Sequence, residues 1–157
     1  MSTLAEPVAP TPLTGFAPAE ISSLRNRRVL DEHVGAAASL WALRERAVRA
    51  PHFRLQHLLR LDERLLAHLE GLRTAGPVGQ ALAGQALGDG SPGAVFVAAW
   101  LAFSAQVPDT MRAVLQLALA DPAMGRALVA ALAWVDPARL DPAWTCLLYT
   151  SPSPRDY

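Results

Sequence analysis

Apolar residues recur at helical spacing through the first half of the chain, and they predict two amphipathic helices. A first stripe predicts a helix from Leu30 to about Ala50, which Pro51 ends because proline disfavours the helical conformation in the residue before it. The stripe comprises Leu30, Val34, Ala37, Trp41 and Val48. After a short element near residues 55–60, a second helix is predicted over residues 62–72. Its apolar face comprises Leu61, Leu65, Leu69 and Leu72.

From Pro77 onward the pattern changes to short helices joined by tight turns. Ser91-Pro92 and Asp121-Pro122 each place an N-capping side chain before a proline, a residue favoured at the first helical position. The two pairs are thirty positions apart, and an alanine-rich helix with a tryptophan follows each of them. Helix, turn and capped helix at a period near thirty are typical of an α-solenoid, in which each pair covers the apolar face of its neighbour.

These patterns predict an all-α fold of helical hairpins stacked as a short α-solenoid. An N-terminal helical region is expected over residues 29–75, and helical repeats over residues 76–145. Residues 1–28 are predicted to form a disordered, proline-rich leader. No apolar period survives between its four prolines, which are Pro7, Pro10, Pro12 and Pro18.

The last residues, 146–157, differ from the rest of the chain in composition. They contain its only cysteine and both of its tyrosines. The run CLLYTSPSPRDY resembles the translation of a transposon-end sequencing adapter, so it is interpreted as a non-native tail. The chain is then expected to be the N-terminal fragment of a longer protein. An array cut within a repeat lacks a polar outer face, so one or more of three residues near the cut are expected to be exposed: Leu128, Leu132 and Trp134.

Charge adds a local asymmetry to this picture. The formal net charge is zero, which predicts no general attraction to nucleic acid or to a membrane. All fourteen basic side chains are arginine, an excess that a GC-rich coding sequence explains. Residues 25–73 contain ten arginines and six acidic residues, a net charge of +4. Residues 74–145 contain three arginines and five acidic residues, a net charge of −2. The N-terminal half is therefore expected to be basic.

Two further features bear on the cellular location. The longest apolar run, Ala94–Phe103, has about ten residues, whereas a membrane-spanning helix needs about twenty, so we expect a buried helix and no membrane partner. The first residues lack the basic start and apolar core of a signal peptide. With the cysteine of the tail set aside, no disulfide is possible, and a cytoplasmic location is predicted.

Several segments resemble bacterial HEAT-type proteins. The run DPAMGRALVAALAW is similar to the second helix of a HEAT-type repeat. Residues 29–135 resemble the opening of a family of uncharacterised proteobacterial HEAT-repeat-containing proteins. The matching positions are Leu30-Asp31, His33, Leu40-Trp41 and the segment Leu61–Leu72. The resemblance implies that the predicted repeats over residues 76–145 form a HEAT-like α-solenoid within a longer helical array. It carries no chemistry, and some members are associated with components of type VI secretion.

The polar residues indicate no reaction chemistry. A helical metal site needs two histidines three or four residues apart, and no two of His33, His52, His57 and His68 have that spacing. Contact of His57 with Asp62 around a turn is an alternative, but the histidines are interpreted as interfacial or capping residues. Asp31-Glu32-His33 is interpreted as the start of a helix, where acids favour the helix dipole. No catalytic, cofactor-binding or metal-binding residue is predicted, and no cofactor.

The function that follows is a non-enzymatic scaffold that binds another protein through stacked helices. The candidate partner-binding residues are Arg46, Arg49, Arg60 and Arg64. An alternative is that they only solvate a helix face and pair with neighbouring glutamates. A nucleic-acid-binding array that uses these arginines and an accessory protein of a type VI secretion locus are further alternatives. So is an enzyme whose catalytic residues lie in a missing C-terminal region.

Overall fold

A computed structural model describes residues 18–140, with side chains from Asn26 onward, and the secondary structure in this range is entirely helical. It contains six α-helices: α1 (Pro18–Ala47), α2 (Leu55–Thr74), α3 (Pro77–Ala86), α4 (Pro92–Ala105), α5 (Pro108–Ala120) and α6 (Pro122–Trp134). Two short 3₁₀ turns follow α3 and α6, at Leu87–Asp89 and Pro137–Arg139. The all-α prediction is confirmed for this range. Residues 1–17 and the predicted tail lie outside it.

The starts of the later helices follow the predicted capping chemistry. Each of α3, α4, α5 and α6 has a proline in its first turn, where the missing N–H would have no partner within the helix. Ser91 Oγ accepts a hydrogen bond from the Ala94 N–H at 3.2 Å. Asp121 Oδ1 accepts one from the Ala123 N–H at 2.6 Å. The predicted caps at both positions are confirmed.

The first two helices extend further than the sequence suggested. α1 begins at Pro18, inside the segment predicted to be a disordered leader, so residues 18–28 are helical. Proline is compatible with the first turn of a helix, and Pro18 therefore begins α1 instead of interrupting it. α1 ends just before Val48, which is exposed and does not join the buried stripe. α2 is one continuous helix because no proline or glycine separates the predicted short element from the predicted helix.

Helix α4 occupies the centre of the structure. It contacts α1, α2, α3, α5 and α6, and every residue from Gly93 to Ser104 is buried. The helix carries no charged side chain, and a helix that is apolar on all sides must be covered on all sides. The expectation that the longest apolar run forms a buried helix is confirmed.

Contacts between side chains establish how the first helices run. α1 and α2 form an antiparallel hairpin, since His33 meets His68 near one end and Arg44 meets Asp62 near the other. α1 and α4 run in the same sense. Ala38 lies against Gly93, and one turn later on both helices Trp41 stacks on Phe96, with ring centroids 5.2 Å apart.

Helices α4 and α6 also run in the same sense. The first residues of both line one cavity, and near their ends Trp100 Nε1 donates a hydrogen bond to the carbonyl oxygen of Trp134 at 3.1 Å. Just beyond, Gln106 Nε2 donates to the carbonyl oxygen of Arg139 at 2.9 Å. α1 and α6 therefore both lie along α4.

The apolar residues exposed on the last helix pair are not the expected ones. Leu128 is only 6% exposed, because its side of α6 faces α4, and Leu132 and Trp134 are partly buried against the core. The exposed residues are Leu119 on α5, at 88%, and Val129 on α6, at 62%. The expectation for Leu128 was therefore wrong, and the exposed apolar residue on α6 is Val129, the next residue along the helix.

Candidate interaction surfaces

The four predicted partner-binding arginines all lie on exposed parts of the α1–α2 hairpin. Arg46 is in the last turn of α1, and Arg49 follows that helix. Arg60 and Arg64 are one turn apart on α2 and share a face of it. Among the described ion pairs only Arg49 is engaged, by Glu45 at 3.4 Å, as its position one turn away predicts. Arg46, Arg60 and Arg64 keep free guanidinium groups within the described part of the chain.

Arg44, outside the predicted set, makes the polar contact that joins three helices. Its Nε donates to Asp62 Oδ1 at 2.6 Å, which links α1 to α2. Its guanidinium carbon lies 5.4 Å from the centroid of the Trp134 ring, a cation–π contact with the end of α6. The side chain is 25% exposed. Arg44 is therefore a structural link and not a free recognition group.

A groove lies between α1 and α6, with the start of α4 at its base. Its more enclosed part has a volume of about 390 Å³. The walls carry Ala38, Ser39, Trp41, Ala42, Glu45 and Arg49 from α1 and the residues after it, and Ala123 and Arg126 from α6, while Ser91, Pro92 and Gly93 form the base. We refer to this feature as the α1–α6 groove. It brings Arg49, a predicted site residue, opposite Arg126, which sequence reasoning did not select.

The α1–α6 groove continues along α6 as a more open depression of about 580 Å³, which shares Glu45 and Arg126 with the more enclosed part. The α6 residues that line it recur every three or four positions and are mostly small: Pro122, Gly125, Arg126, Val129, Ala130 and Ala133. This spacing places them on one face of α6 over about three turns. A face of small residues allows another helix to approach closely.

The base of the groove depends on a glycine. A Cβ atom at Gly93 would lie 2.6 Å from the carbonyl oxygen of Ala38, closer than such atoms approach in proteins. Only glycine therefore lets the backbone of α1 lie directly on the first turn of α4. This close approach fixes the α1 wall of the groove relative to its base.

Charges at the groove are only partly compensated. Glu45 accepts from Arg49 and lies 4.0 Å from Arg44, so its carboxylate is shared. Arg126 is exposed, and no ion pair engages it among the described residues. Asp121 is nearby in sequence, but its carboxylate caps α6. Arg126 thus remains available to a carboxylate or phosphate of a partner.

His33 and His68, which are 35 positions apart in the sequence, are in contact between α1 and α2. The Nδ1 atoms of His33 and His68 are 2.7 Å apart, and the rings meet edge to face. Burial lowers the pKa of His68, and positive charge on His33 and on Arg64 lowers it further. The interpretation of these histidines as interfacial residues is confirmed.

The remaining residues considered as site candidates, Asp31-Glu32-His33 and His57, lie within α1 and α2. Asp31-Glu32-His33 lies inside α1 and not at its start, because the helix begins at Pro18, so the proposed helix-dipole role of the acids was wrong. His57 accepts a hydrogen bond from the Arg54 N–H at 3.3 Å at the start of α2, as expected for a capping residue. It does not bond to Asp62, whose carboxylate accepts from Arg44.

The described residues contain neither a cluster suited to a metal ion nor a membrane-spanning helix. No group of three or more histidine, cysteine, aspartate or glutamate residues in this range is arranged to hold a metal ion. None of the helices described is both long enough and apolar enough to cross a bilayer. Comparisons of the chain with protein-family models, with curated proteins and with solved structures found no match.

Proposed function

We propose that this protein is a non-enzymatic interaction scaffold built from HEAT-like helical repeats, and that it binds another protein. The observation that carries the proposal is the α1–α6 groove. Two helices distant in sequence lie on a common base and leave an open channel of small side chains between them. Arg49 and Arg126 stand on its two sides. A surface of this shape accepts an apolar ridge of a partner and pairs with its acidic groups.

The order of helix contacts supports the repeat interpretation. α3 with α4 and α5 with α6 form successive helix pairs, and the two second helices, α4 and α6, lie side by side in the same sense. Their starts carry the capped prolines that recur at a thirty-residue interval. The α1–α2 hairpin covers the other side of α4. Stacked helix pairs create extended concave surfaces that bind partners, and the α1–α6 groove is a concave surface between α1 and the second helix of the last pair.

The proposal is tested with charge-reversal variants of the full chain. Two double variants remove the predicted arginines: Arg46→Glu with Arg49→Glu, and Arg60→Glu with Arg64→Glu. Arg126→Glu changes the opposite side of the groove. Arg112→Glu, at an exposed position of α5, is the matched control. Partners recovered by in-cell crosslinking are compared by quantitative mass spectrometry, with circular dichroism to confirm folding.

The expected result is that one protein is lost from the Arg126→Glu and Arg46/Arg49 samples and retained with Arg112→Glu. If the same protein is also lost from the Arg60/Arg64 sample, the binding surface includes α2. Equal recovery of every crosslinked protein by all variants would contradict the proposal.

A nucleic-acid-binding array is the second candidate, favoured by the free guanidinium groups of Arg46, Arg60 and Arg64. Arginines that neutralise phosphates release counterions, so the affinity falls steeply with salt. The measurement is fluorescence anisotropy with a labelled single-stranded DNA, a duplex DNA and an RNA hairpin over a salt series. Binding that the Arg60/Arg64 variant abolishes, with a steep salt dependence, would favour this candidate over the protein-binding one.

A further inference from the structure

We infer that the His33–His68 pair is a proton-sensitive latch, which stabilises the contact between α1 and α2 at neutral pH and weakens it when both imidazoles are protonated. The inference rests on the geometry of the pair and is independent of the proposed function. The two Nδ1 atoms are 2.7 Å apart, a distance at which one must donate and the other accept. The accepting ring must therefore be neutral.

A second proton destroys this contact. Two imidazolium rings have no acceptor nitrogen, so the hydrogen bond is lost and two positive charges face each other at close range. Both rings are half-buried, and the His33 ring lies 3.7 Å from the position that a Cβ at Gly71 would occupy. The repulsion therefore acts where α1 and α2 are in contact, and it weakens that contact.

The surroundings of the pair do not neutralise a second charge. On α1, Asp31 is exposed, and the Glu32 carboxylate accepts from Arg28 at 3.0 Å. On α2, Arg64 adds positive charge one turn before His68. Among the remaining charges of that helix near the pair, Glu70 accepts from Arg73 at 2.6 Å.

The elements that pack against the hairpin add little counter-charge. α3 and α4 contain no titratable side chain. Asp89, in the turn after α3, shares a cavity with Asp31 and Val34 of α1. Within the described residues, neither Asp89 nor any other carboxylate bonds to either imidazole.

The direction of the pH effect follows from the binding of protons. The pKa of His68 is lower in the folded protein than in the unfolded chain, mainly through burial. The folded state therefore binds fewer protons, and acidification below the ordinary histidine pKa of about 6.5 favours the open or unfolded chain. The stability contributed by the neutral pair is fully present above about pH 6.5 and decreases as the pH falls.

The first experiment observes the pair directly. The imidazole nitrogens of the full chain, labelled with ¹⁵N-histidine, are titrated by NMR, with His52 and His57 as internal references. The expected result is a coupled titration, in which one ring of the pair is protonated clearly below the ordinary histidine pKa of about 6.5. Ordinary, independent titration of both His33 and His68 would overturn the inference. This measurement needs no variant and so does not depend on a variant folding.

The second experiment tests the consequence for the hairpin. Hydrogen exchange of α1 and α2 peptides, corrected for intrinsic rates, is compared at pH 7.5 and pH 5.5 with that of α6 peptides. Wild-type protein is expected to show several-fold faster exchange in α1 and α2 at the lower pH and little change in α6. His68→Asn retains an amide near the Nδ1 position but does not titrate, so it is expected to lose the pH response.

His52→Asn is the matched control, because His52 is exposed and lies outside the pair. It is expected to respond to pH as the wild type does. Exchange in α1 and α2 that does not change with pH in the wild type, or an unaltered response in His68→Asn, would overturn the latch. A uniform acceleration over all six helices would also overturn it, since it would indicate global acid unfolding instead.

Discussion

The α1–α2 hairpin and helices α3 to α6 are held by different kinds of contact. In the hairpin, leucines of α2 are buried, but polar contacts fix the two ends: His33 with His68, and Arg44 with Asp62. Among the later helices, α3 and α4 carry no charged side chain, and most of the core contacts are made by apolar residues such as Val95, Phe96 and Leu101. The hairpin should therefore respond to protons and salt, whereas the later helices should respond to changes in side-chain volume.

The largest effect is expected from a cavity beside α4. Phe96 is fully buried and packs against the rings of Trp41 and Trp134. Phe96→Ala should lower the free energy of unfolding by about 3–5 kcal/mol, measured by urea denaturation at neutral pH. Val129→Ala, at an exposed position of α6, is the control and should change it little. A loss at Phe96 no larger than at Val129 would contradict the central position of α4.

Alanine substitutions at two glycines test the effects of close packing and of helix propensity on stability separately. Gly93→Ala places a Cβ atom 2.6 Å from the Ala38 carbonyl oxygen, so α1 must move and the protein should lose about 1–3 kcal/mol. At Gly35 no atom lies within 4 Å of the added Cβ, and Gly35→Ala should stabilise the protein by about 0.5–1 kcal/mol. Thermal unfolding of both variants checks the opposite signs. Equal shifts would show that α1 does not rest on the start of α4.

The ion pair at the other end of the hairpin should matter less. Asp62→Asn removes the charge that Arg44 contacts, and since both side chains are about a third exposed or less, the loss should be about 1 kcal/mol. The loss should shrink in high salt, because salt screens the pair in the wild type. Glu32→Gln, which removes an exposed pair with Arg28, should have no measurable effect. A difference between wild type and Asp62→Asn that does not change with salt would argue against an electrostatic link.

The smallest effect on stability is expected at the uncovered face of the last helix pair. Leu119 is the most exposed large apolar residue described, and Leu119→Gln should change the free energy of unfolding by less than about 0.5 kcal/mol. Self-association, followed by light scattering against concentration, should decrease because the substitution removes exposed apolar surface. Unchanged association together with a large stability loss would place Leu119 in a contact and not at the surface.

Local signals in the sequence predicted the helices that carry them. Ser91-Pro92 and Asp121-Pro122 place α4 and α6 correctly, because capping and proline geometry depend on neighbouring residues alone. The start of α1 was missed because Pro18 was read as a breaker, although proline is equally suited to a first turn.

The candidate sites depend on contacts between distant segments, and the sequence predicted less of them. His33 and His68 are 35 positions apart, and they meet only through the register of the α1–α2 hairpin. Their positions beside the buried residues Val34 and Leu69 were the available signal. Arg126 enters the α1–α6 groove only because α1 and α6 both pack on α4. The spacing of residues within one helix could not have indicated that Arg126 and Arg49 line the same groove.

The central position of α4 also has a consequence for how the chain is synthesised. α4 is complete once Ala105 has been added, but one of its sides is covered only when α6 follows, after residues 122–134 are made. At roughly 5–20 residues per second, this interval lasts on the order of a few seconds. During that time an uncharged helix exposes apolar surface that a ribosome-bound chaperone can contact. Nascent chains arrested at a length where α4 has left the ribosome and α6 has not should therefore crosslink to such a chaperone through α4, and the released chain should not.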